Sequence, residues 1–501
     1  MLIASALQRA ASCAPNKPGL IVGDCTMSYL ELDRGARHLA AKLIASGVAP
    51  GDRVALHMYN SFELAVSYFA CFYAGAVAVP VNTRMKAAEI AYVLDHSGAS
   101  LYLGQPELFE EIRELPACFP NIRQFATDLS EIEVSARRLA AAKLPAVAAD
   151  WPAAILYTSG STARPKGVVH THQSLWDIGL GLGVVAHDVV MLITPMVHVA
   201  ALAGLLAGLQ AVAATVTLAQ FDPDAVLDAV ARNRATFLFG MPVMYRALIA
   251  AQAVQPRDAR SLTRCYAGGD AVPPALKTEF VQCFGPPLRE VFGTTESGLV
   301  ALNESDMPAY ADSFGRPNSG VEIAVAGKDG EPAPPGVVGE MIVRSPGNMT
   351  GYWNDSDATA KTIRNGWVHT GDLVRLDSDG YLRFQGRKKE IIVRGGSNVS
   401  PQEVEAVLYQ HLGVRDAGVI GAPDPTWGER VVAFVSRRPD RTVTAGELIA
   451  FVARRLANYK TPAEVIFLDE LPKSMTGKVQ RRTLRETYCA EPSRAGGVLG
   501  S

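Results

Sequence analysis

Residues 153–167 read AAILYTSGSTARPKG, an apolar run followed by a loop of Ser, Thr and Gly that ends in Pro165 and Lys166. The apolar run predicts a buried strand, and its carboxyl end is the edge at which α/β sheets bind ligands. Hydroxyl and backbone N–H groups in such a loop can surround phosphate oxygens, and the Lys166 ammonium adds a positive charge. The Walker pattern is absent, because Pro165 stands where its second glycine would be. For the loop taken alone, a plain surface turn remains the alternative.

Short β-rich runs and helical patterns alternate along the chain around this stretch. Helical patterns with Pro near the first turn, such as 223–233, are separated by strand-like runs at 189–194, 215–219, 235–239 and 264–267, and a later helix is predicted over 445–456. This alternation predicts an α/β fold with largely parallel sheets. We expect α/β subdomains over 1–312, a small β-subdomain over 313–385 and a compact α+β unit over 387–501.

Composition limits the class of protein. The 501 residues include 48 Lys plus Arg, 50 Asp plus Glu and 48% hydrophobic residues, so two to four domains with a large core are expected. The near-neutral net charge does not indicate the strongly basic surface that nucleic-acid-binding proteins have. The seven cysteines are scattered, without a CxxC pair, and no targeting segment is recognisable, so a reducing cytoplasm is expected.

One uncharged stretch, residues 199–219, is long enough to cross a bilayer. Its second half becomes β-branched and alternating, and Gln210, Thr215 and Thr217 interrupt it. A buried helix followed by a buried strand explains the same residues, so no transmembrane segment is expected. Peripheral contact with a membrane and a homodimer both remain compatible with the sequence.

The loop and four later motifs resemble the adenylate-forming superfamily, which includes acyl-CoA synthetases. The later motifs are VFGTTE at 291–296, HTGDL at 369–373, GRKKEIIVRGGSNVSPQEVE at 386–405 and LPKSMTGKVQRR at 471–482, all in the family's order. The resemblance implies a large N-terminal domain over 1–386 that binds ATP and the acyl substrate. It also implies a small mobile C-terminal domain over 387–501 that carries a catalytic lysine.

The resemblance also implies a nucleotide site. Its predicted members are Thr158, Ser159, Gly160, Ser161, Thr162, Lys166, Gly268, Gly269, Asp270, Phe292, Gly293, Thr294, Thr295, Asp372 and Arg387. Glu296, with Thr158, would hold Mg²⁺ beside the ATP phosphates, and Asp372 would accept the ribose hydroxyls. Phe292 stands where the family usually has tyrosine, so it keeps an aromatic face for adenine but lacks the hydroxyl. Ordinary roles stay open for three of these residues: Glu296 as a surface glutamate, Asp372 as a helix or turn cap, and Arg387 as part of an interdomain ion pair.

Lys478 matches the family's catalytic lysine. A cation that contacts both the attacking carboxylate and the α-phosphate would stabilise their transition state, and a solvated loop lysine is the alternative. His198 matches a histidine between the acyl pocket and the nucleotide, although a core histidine is equally ordinary. Gly240 and Met241 resemble one wall of the acyl pocket.

The second reaction implied by the resemblance is displacement of AMP by the thiol of coenzyme A. Lys389 matches the hinge, Gly395 and Gly396 match the loop that then enters the site, and Trp427 falls where the thiol tunnel would be flanked. Apolar residues around 199–212 and 237–245 favour a medium- or long-chain fatty acid. An aromatic acid is the second choice. Transfer of the acyl group to a carrier protein instead of free CoA stays open. A non-catalytic protein that binds a nucleotide or an acyl group is a further alternative.

Overall fold

The structure is a computed structural model that describes residues 2–126, 128–132, 135–158, 164–270, 272–305, 307–311, 313–327, 332–439, 441–474 and 477–490. Two large mixed sheets with helices packed against them form the first two-thirds of this part of the chain. Their helices are Ile3–Cys13, Tyr29–Ala45, Phe62–Ala74, Ala87–Ser97, Pro106–Phe109, Leu115–Cys118, Ala136–Ala141, His172–Leu180, Val199–Ala211, Pro223–Asn233, Pro242–Val254 and Pro274–Phe284.

The first sheet has nine strands, and its six central strands are parallel to one another. In spatial order its strands are Arg316–Pro317, Gly298–Leu302, Leu288–Thr294, Arg264–Ala267, Phe237–Gly240, Val189–Leu192, Ala214–Thr217, Pro18–Val22 and Cys25–Ser28. Parallel strands buried on both faces explain the continuous apolar runs that the sequence shows here. The predicted α/β fold with a large N-terminal and a smaller C-terminal domain is confirmed.

The second sheet has seven strands and carries the phosphate-loop motif. Its spatial order is Gly351–Tyr352, Lys166–Thr171, Pro152–Thr158, Val77–Pro80, Arg53–His57, Ala99–Gly104 and Phe125–Ala126. The motif connects Pro152–Thr158 with the antiparallel strand Lys166–Thr171, so Thr158 and Lys166 are register partners. Thr158 and Lys166 therefore lie at the two ends of this loop.

Residues 199–219 form a 13-residue helix, Val199–Ala211, and then the strand Ala214–Thr217. Both elements are buried in the large domain, because the helix packs its apolar residues into the main hydrophobic core. None of the helices within the described residues combines the length and the apolar character needed to cross a membrane.

Two smaller sheets follow. A five-stranded sheet contains Glu322–Ala326, Val338–Arg344, Trp367–Leu376, Ile363–Arg364 and Leu382–Arg387, with the helix Ser356–Thr362 nearby. A second five-stranded sheet contains Ser397–Val399, Ile392–Arg394, Gly428–Arg437, Val414–Asp424 and Glu464–Phe467, covered by helices Pro401–Leu408, Ala445–Ala453 and Arg481–Ala490. The chain leaves the first of these sheets at Arg387, and a turn at 388–390 connects it to the second.

Candidate active site

A cavity of about 220 Å³ lies between the large domain and the C-terminal sheet. Residues of both parts line it, including Gly269, Asp270, Phe292, Gly293, Asp372, Arg387 and Lys478 from the predicted site. The five predicted motifs are far apart in sequence, and this cavity collects members of four of them. The predicted catalytic lysine therefore lies in the same cleft as the predicted nucleotide residues.

Asp372 forms the buried end of this cavity. It lies on the strand Trp367–Leu376 and is only 1% exposed, and Nε of Arg387 is 2.9 Å from its Oδ1. Neither carboxylate oxygen has a hydrogen-bond partner of good geometry among the described residues. Burial raises the pKa of Asp372, and the positive charges of Arg387 and Lys478 oppose that rise. A buried carboxylate that is paired with one cation and still has acceptor capacity fits a vicinal diol such as a ribose.

Lys478 is presented by a short turn before the helix Arg481–Ala490. The backbone N–H of Ser474 donates to the Lys478 carbonyl at 2.7 Å, and the Lys478 N–H donates to Ser474 Oγ at 3.2 Å. Burial lowers the pKa of Lys478, as does the charge of Arg387, while Asp270 and Asp372 favour the protonated form. The turn thus holds a partly buried ammonium group close to the predicted ribose carboxylate.

His198 is the N-cap residue of the helix Val199–Ala211, and its ring Nε2 is hydrogen-bonded to the side-chain Nδ2 of Asn82 at 3.3 Å. Burial lowers the pKa of His198 to about 4, and the charges of Lys478 and Arg84 act in the same direction. The ring is therefore neutral at neutral pH. Because the charge of Lys478 acts on the pKa of this ring, His198 lies near the predicted catalytic lysine.

The predicted phosphate and metal residues form a second group. Tyr352 donates its hydroxyl to Glu296 Oε1 at 2.9 Å, and Lys166 Nζ lies 4.7 Å from the centre of the Tyr352 ring. The ring of His170 is hydrogen-bonded to the Thr295 carbonyl at 2.7 Å, and Thr294 Oγ1 accepts the N–H of Ser297 at 3.0 Å. The predicted loop residues Ser159, Gly160, Ser161 and Thr162 lie outside the described residues.

The donor set fits a magnesium ion held mainly by substrate phosphates. No group of three or more His, Cys, Asp or Glu side chains with metal-binding geometry occurs among the described residues. Mg²⁺ is commonly bound by one or two carboxylates together with phosphate oxygens and water, instead of by an all-protein cage. Glu296 offers such a carboxylate, because its recorded hydrogen bond occupies only Oε1.

The segment predicted to lie against adenine consists of Gly268, Gly269 and Asp270. A Cβ atom at Gly268 would lie 2.6 Å from Cγ2 of Val291, so a side chain at this position would force the neighbouring strand away. Phe292 on that strand is 9% exposed, packs against Phe314 with ring centres 4.9 Å apart, and still lines the cavity. Gly269, Asp270 and the Phe292 ring thus form part of the cavity wall.

The predicted acyl wall lies at the start of the helix Pro242–Val254, where Met241 is the N-cap. A Cβ atom at Gly240 would lie 2.6 Å from Cδ1 of Ile193, which shows how closely the strands approach here. Arg246, on the same helix, points to the C-terminal part of the chain. Its Nη1 donates to the Arg415 carbonyl at 3.0 Å, and its guanidinium lies 5.1 Å from the ring centre of Tyr409.

Gly395, Gly396 and Trp427, predicted for the thiol step, lie together, and neither they nor Lys389 line the cleft. The N–H of Gly395 donates to the Trp427 carbonyl at 2.7 Å, and a Cβ atom at Gly395 would lie 2.6 Å from Cε3 of that indole. Gly395 and Gly396 have φ values of 55° and 81°, and Trp427 is 52% exposed. Lys389 is exposed in the connecting turn.

Sequence reasoning missed three contacts of the site, namely those made by Tyr352, Asn82 and Arg246. Tyr352 is 56 residues from Glu296, and Asn82 is 116 residues from His198. No local spacing links such pairs. The run GYW at 351–353 belongs to none of the five motifs.

Comparison with known proteins supports this arrangement. The model of the AMP-binding enzyme family matches residues 7–353, and the model of the AMP-binding enzyme C-terminal domain matches residues 403–478. A feruloyl-CoA synthase of an Amycolatopsis species is 36% identical over 487 residues, with 96% of this chain and 98% of that protein covered. The long-chain-fatty-acid–CoA ligase FadD13 of Mycobacterium tuberculosis is 35% identical, with 93% and 94% covered.

Solved structures of other proteins share the fold of this chain. The ATP-bound MatB of Rhodopseudomonas palustris has a TM-score of 0.88 and 30% identity, covering 98% of this chain and 99% of that one. The matched family models cover the phosphate-loop motif and VFGTTE in the first part and reach Lys478 in the second, while the HTGDL motif at 369–373 lies between them. The chain belongs to the AMP-binding, adenylate-forming enzyme family and is an AMP-forming acid–thiol ligase.

Proposed function

We propose that this enzyme is an acyl-CoA synthetase that activates an apolar carboxylic acid, with a medium- or long-chain fatty acid as the first choice. The acid and ATP would give an acyl-adenylate and pyrophosphate, and the thiol of CoA would then displace AMP to give the thioester. The observation that carries the proposal is the position of Lys478, which lines the same cavity as Asp372 and Arg387.

In the first step a substrate carboxylate attacks the α-phosphorus of ATP, so two anions must approach each other. The Lys478 ammonium would offset the charge that develops between them. The neutral ring of His198 could donate one hydrogen bond there without adding a second cation. Asp372 would fix the nucleotide through its ribose. A magnesium ion held by Glu296 with Thr158 would offset the charge of the leaving pyrophosphate.

The second step needs a thiol close to the mixed anhydride. Gly395, Gly396 and Trp427 form one surface outside the cleft, and Lys389 lies in the connection between the two parts. We propose that rotation about this connection brings that surface to the acyl-adenylate, as the family resemblance implies. Glycines suit a backbone that must pass close to the pantetheine arm.

The acid is assigned from the chemistry of the predicted pocket. The helix Val199–Ala211 carries no charged side chain, and the wall residues Gly240 and Met241 are apolar. Arg246 is the nearest cation in sequence, and its side chain is engaged by Arg415 and Tyr409. This composition favours a hydrocarbon tail over a second carboxylate. An aromatic acid is the second candidate, favoured by the 36% identity to a feruloyl-CoA synthase.

The test is a panel of fatty, aromatic and dicarboxylic acids incubated with ATP, Mg²⁺ and CoA. AMP, pyrophosphate and thioester are quantified together, and a parallel arm replaces CoA with an acyl carrier protein. We expect stoichiometric AMP, pyrophosphate and acyl-CoA with fatty acids. Higher kcat/KM for aromatic acids would select the second candidate. Acyl-adenylate without thioester from CoA, but with transfer to the carrier protein, would contradict the assignment of the acceptor.

A further inference from the structure

Tyr352 lies between two oppositely charged side chains of the predicted phosphate and metal site. Its hydroxyl donates to Glu296 Oε1 at 2.9 Å, and the face of its ring is 4.7 Å from Lys166 Nζ. Lys166 and Glu296 form no ion pair with each other in the described structure, although both contact the same tyrosine. One aromatic residue thus separates a cation from an anion.

The position of Tyr352 is set by backbone hydrogen bonds on both sides. Strand Gly351–Tyr352 pairs antiparallel with Lys166–Thr171, which puts Tyr352 opposite Val168. The Trp353 N–H donates to the Gly167 carbonyl at 2.7 Å, and the Met349 N–H donates to the Glu296 carbonyl at 2.7 Å. The same short segment is therefore tied to the lysine strand and to the glutamate.

A direct contact between Lys166 and Glu296 would satisfy each charge with the other. The ammonium would then be less available to phosphate, and the carboxylate would be less available to a metal ion. An aromatic face attracts a cation only weakly through its quadrupole, so the lysine can be released to a phosphate. A phenol hydroxyl bonded to one carboxylate oxygen leaves the other oxygen for a hard cation.

We propose that Tyr352 is a positioning residue that keeps Lys166 and Glu296 apart and orients each for the metal–triphosphate group. This inference rests on the proposed function, because ATP with its metal ion is the group that both side chains would meet. The hydroxyl acts on Glu296 and the ring acts on Lys166. The two actions are separable by substitution, which makes the proposal open to test.

The test compares Tyr352→Phe, which keeps the ring, with Tyr352→Leu, which removes both ring and hydroxyl. Binding of Mn²⁺ is followed by electron paramagnetic resonance with the non-hydrolysable nucleotide α,β-methylene-ATP and no acid, so that no turnover is needed. Binding of the same nucleotide without metal is measured by calorimetry. Tyr310→Phe is the matched control, because the Tyr310 hydroxyl is bonded to Asp379 away from this group.

We expect Tyr352→Phe to weaken Mn²⁺ binding roughly 10- to 100-fold, the usual effect of removing a hydrogen bond to a metal-binding carboxylate. Metal-free nucleotide binding should be unchanged in this variant. Tyr352→Leu should weaken both, because Lys166 can then pair with Glu296. The double variant Tyr352→Phe, Glu296→Gln should bind Mn²⁺ as weakly as the single variant Glu296→Gln. The reason is that the Tyr352 hydroxyl acts through the Glu296 carboxylate.

Wild-type Mn²⁺ affinity in Tyr352→Phe, or equal metal-free nucleotide binding in Tyr352→Phe and Tyr352→Leu, would overturn the proposal. Circular dichroism and the melting temperature establish that both variants are folded before binding is compared. Failure of the proposed function has a different signature: wild-type enzyme would form no AMP with any acid, whatever the Mn²⁺ titrations of the variants show.

Discussion

Asp372 and Arg387 are direct cross-strand partners on two adjacent antiparallel strands, and Nε of Arg387 lies 2.9 Å from Oδ1 of Asp372. Both residues line the interdomain cavity, and Arg387 is the last residue of its strand before the turn that connects it to the C-terminal part. The register of a single hairpin thus joins the predicted sugar-binding carboxylate to the predicted hinge.

Replacing Asp372 with Asn should impair the use of ATP. The amide keeps the shape but loses the charge and one acceptor, and a hydrogen bond to a charged group is worth about 1.5–3 kcal/mol, so kcat/KM for ATP should fall roughly 10- to 150-fold. The control is 2′,3′-dideoxy-ATP. Wild type should discriminate strongly against this analogue and Asp372→Asn should not. Equal discrimination by both enzymes would show that Asp372 does not contact the ribose.

Replacing Lys478 with Ala should remove most of the adenylation rate. Loss of one electrostatic contact to the transition state costs roughly 10²–10³-fold, measured here as acid-dependent exchange of pyrophosphate into ATP. Lys42→Ala, a change in the helix Tyr29–Ala45, serves as the matched control. Thioester formation from supplied acyl-adenylate and CoA should fall much less. An unchanged exchange rate in Lys478→Ala would remove the basis of the proposed mechanism.

Replacing Arg246 with Ala should weaken adenylation without changing which acid is used. Its guanidinium contacts Tyr409 and the Arg415 carbonyl, so it helps to hold the lysine-bearing part over the cleft. A cation–π contact is worth about 0.5–2 kcal/mol, and we expect a roughly 2- to 30-fold loss in pyrophosphate exchange. Arg246→Lys should recover part of it. A changed ranking of acids would instead place Arg246 in the acyl pocket.

Acid should destabilise the protein through buried histidines, of which His172 is the clearest. Both its ring nitrogens lack partners among the described residues, and burial lowers its pKa to about 4. The unfolded state, with a pKa near 6.5, takes up the proton first as the pH falls. Stability is therefore complete above about pH 6.5 and is lost toward pH 4, by about 2 kcal/mol at pH 5 for this residue.

The variant His172→Phe checks this prediction, since Phe keeps an aromatic ring opposite Phe72. The drop in melting temperature between about pH 8 and about pH 5 should be smaller in this variant than in wild type. His187→Phe, at an exposed position, should leave the drop unchanged. Identical drops in wild type and His172→Phe would assign the acid sensitivity to other groups.

The sequence predicted the fold closely where the pattern is local. The helix expected over 223–233 is observed as Pro223–Asn233, and the strand expected over 264–267 is Arg264–Ala267. A proline at the first turn and a buried apolar run determine such elements within a few residues of themselves. The helix predicted over 445–456 ends earlier, at Ala453, because helix termini depend on packing as well as on propensity.

The sequence predicted only those residues of the site that belong to the motifs. Asp372, Arg387 and Lys478 were found from their motifs, and the cavity collects them. Tyr352, Asn82 and Arg246 act on those motifs from distant positions, and their side chains meet the site only because of sheet pairing or domain contact. Tyr352 reaches Glu296 because its two-residue strand extends the second sheet beside Lys166–Thr171. A single sequence contains no signal for such a pairing.

The short distance along the chain between the Asp372–Arg387 pair and the connecting turn matters for anyone recombining this enzyme with a relative. The Lys388 N–H donates to the Gly371 carbonyl at 2.8 Å, so the hairpin extends through residue 388. A junction placed before Arg387 would pair Asp372 with the corresponding residue of the other parent. The predicted nucleotide site of the hybrid would then combine residues from both parents. Joining the two parents after Lys388 keeps the predicted ribose-binding hairpin intact and exchanges only the part that is predicted to rotate.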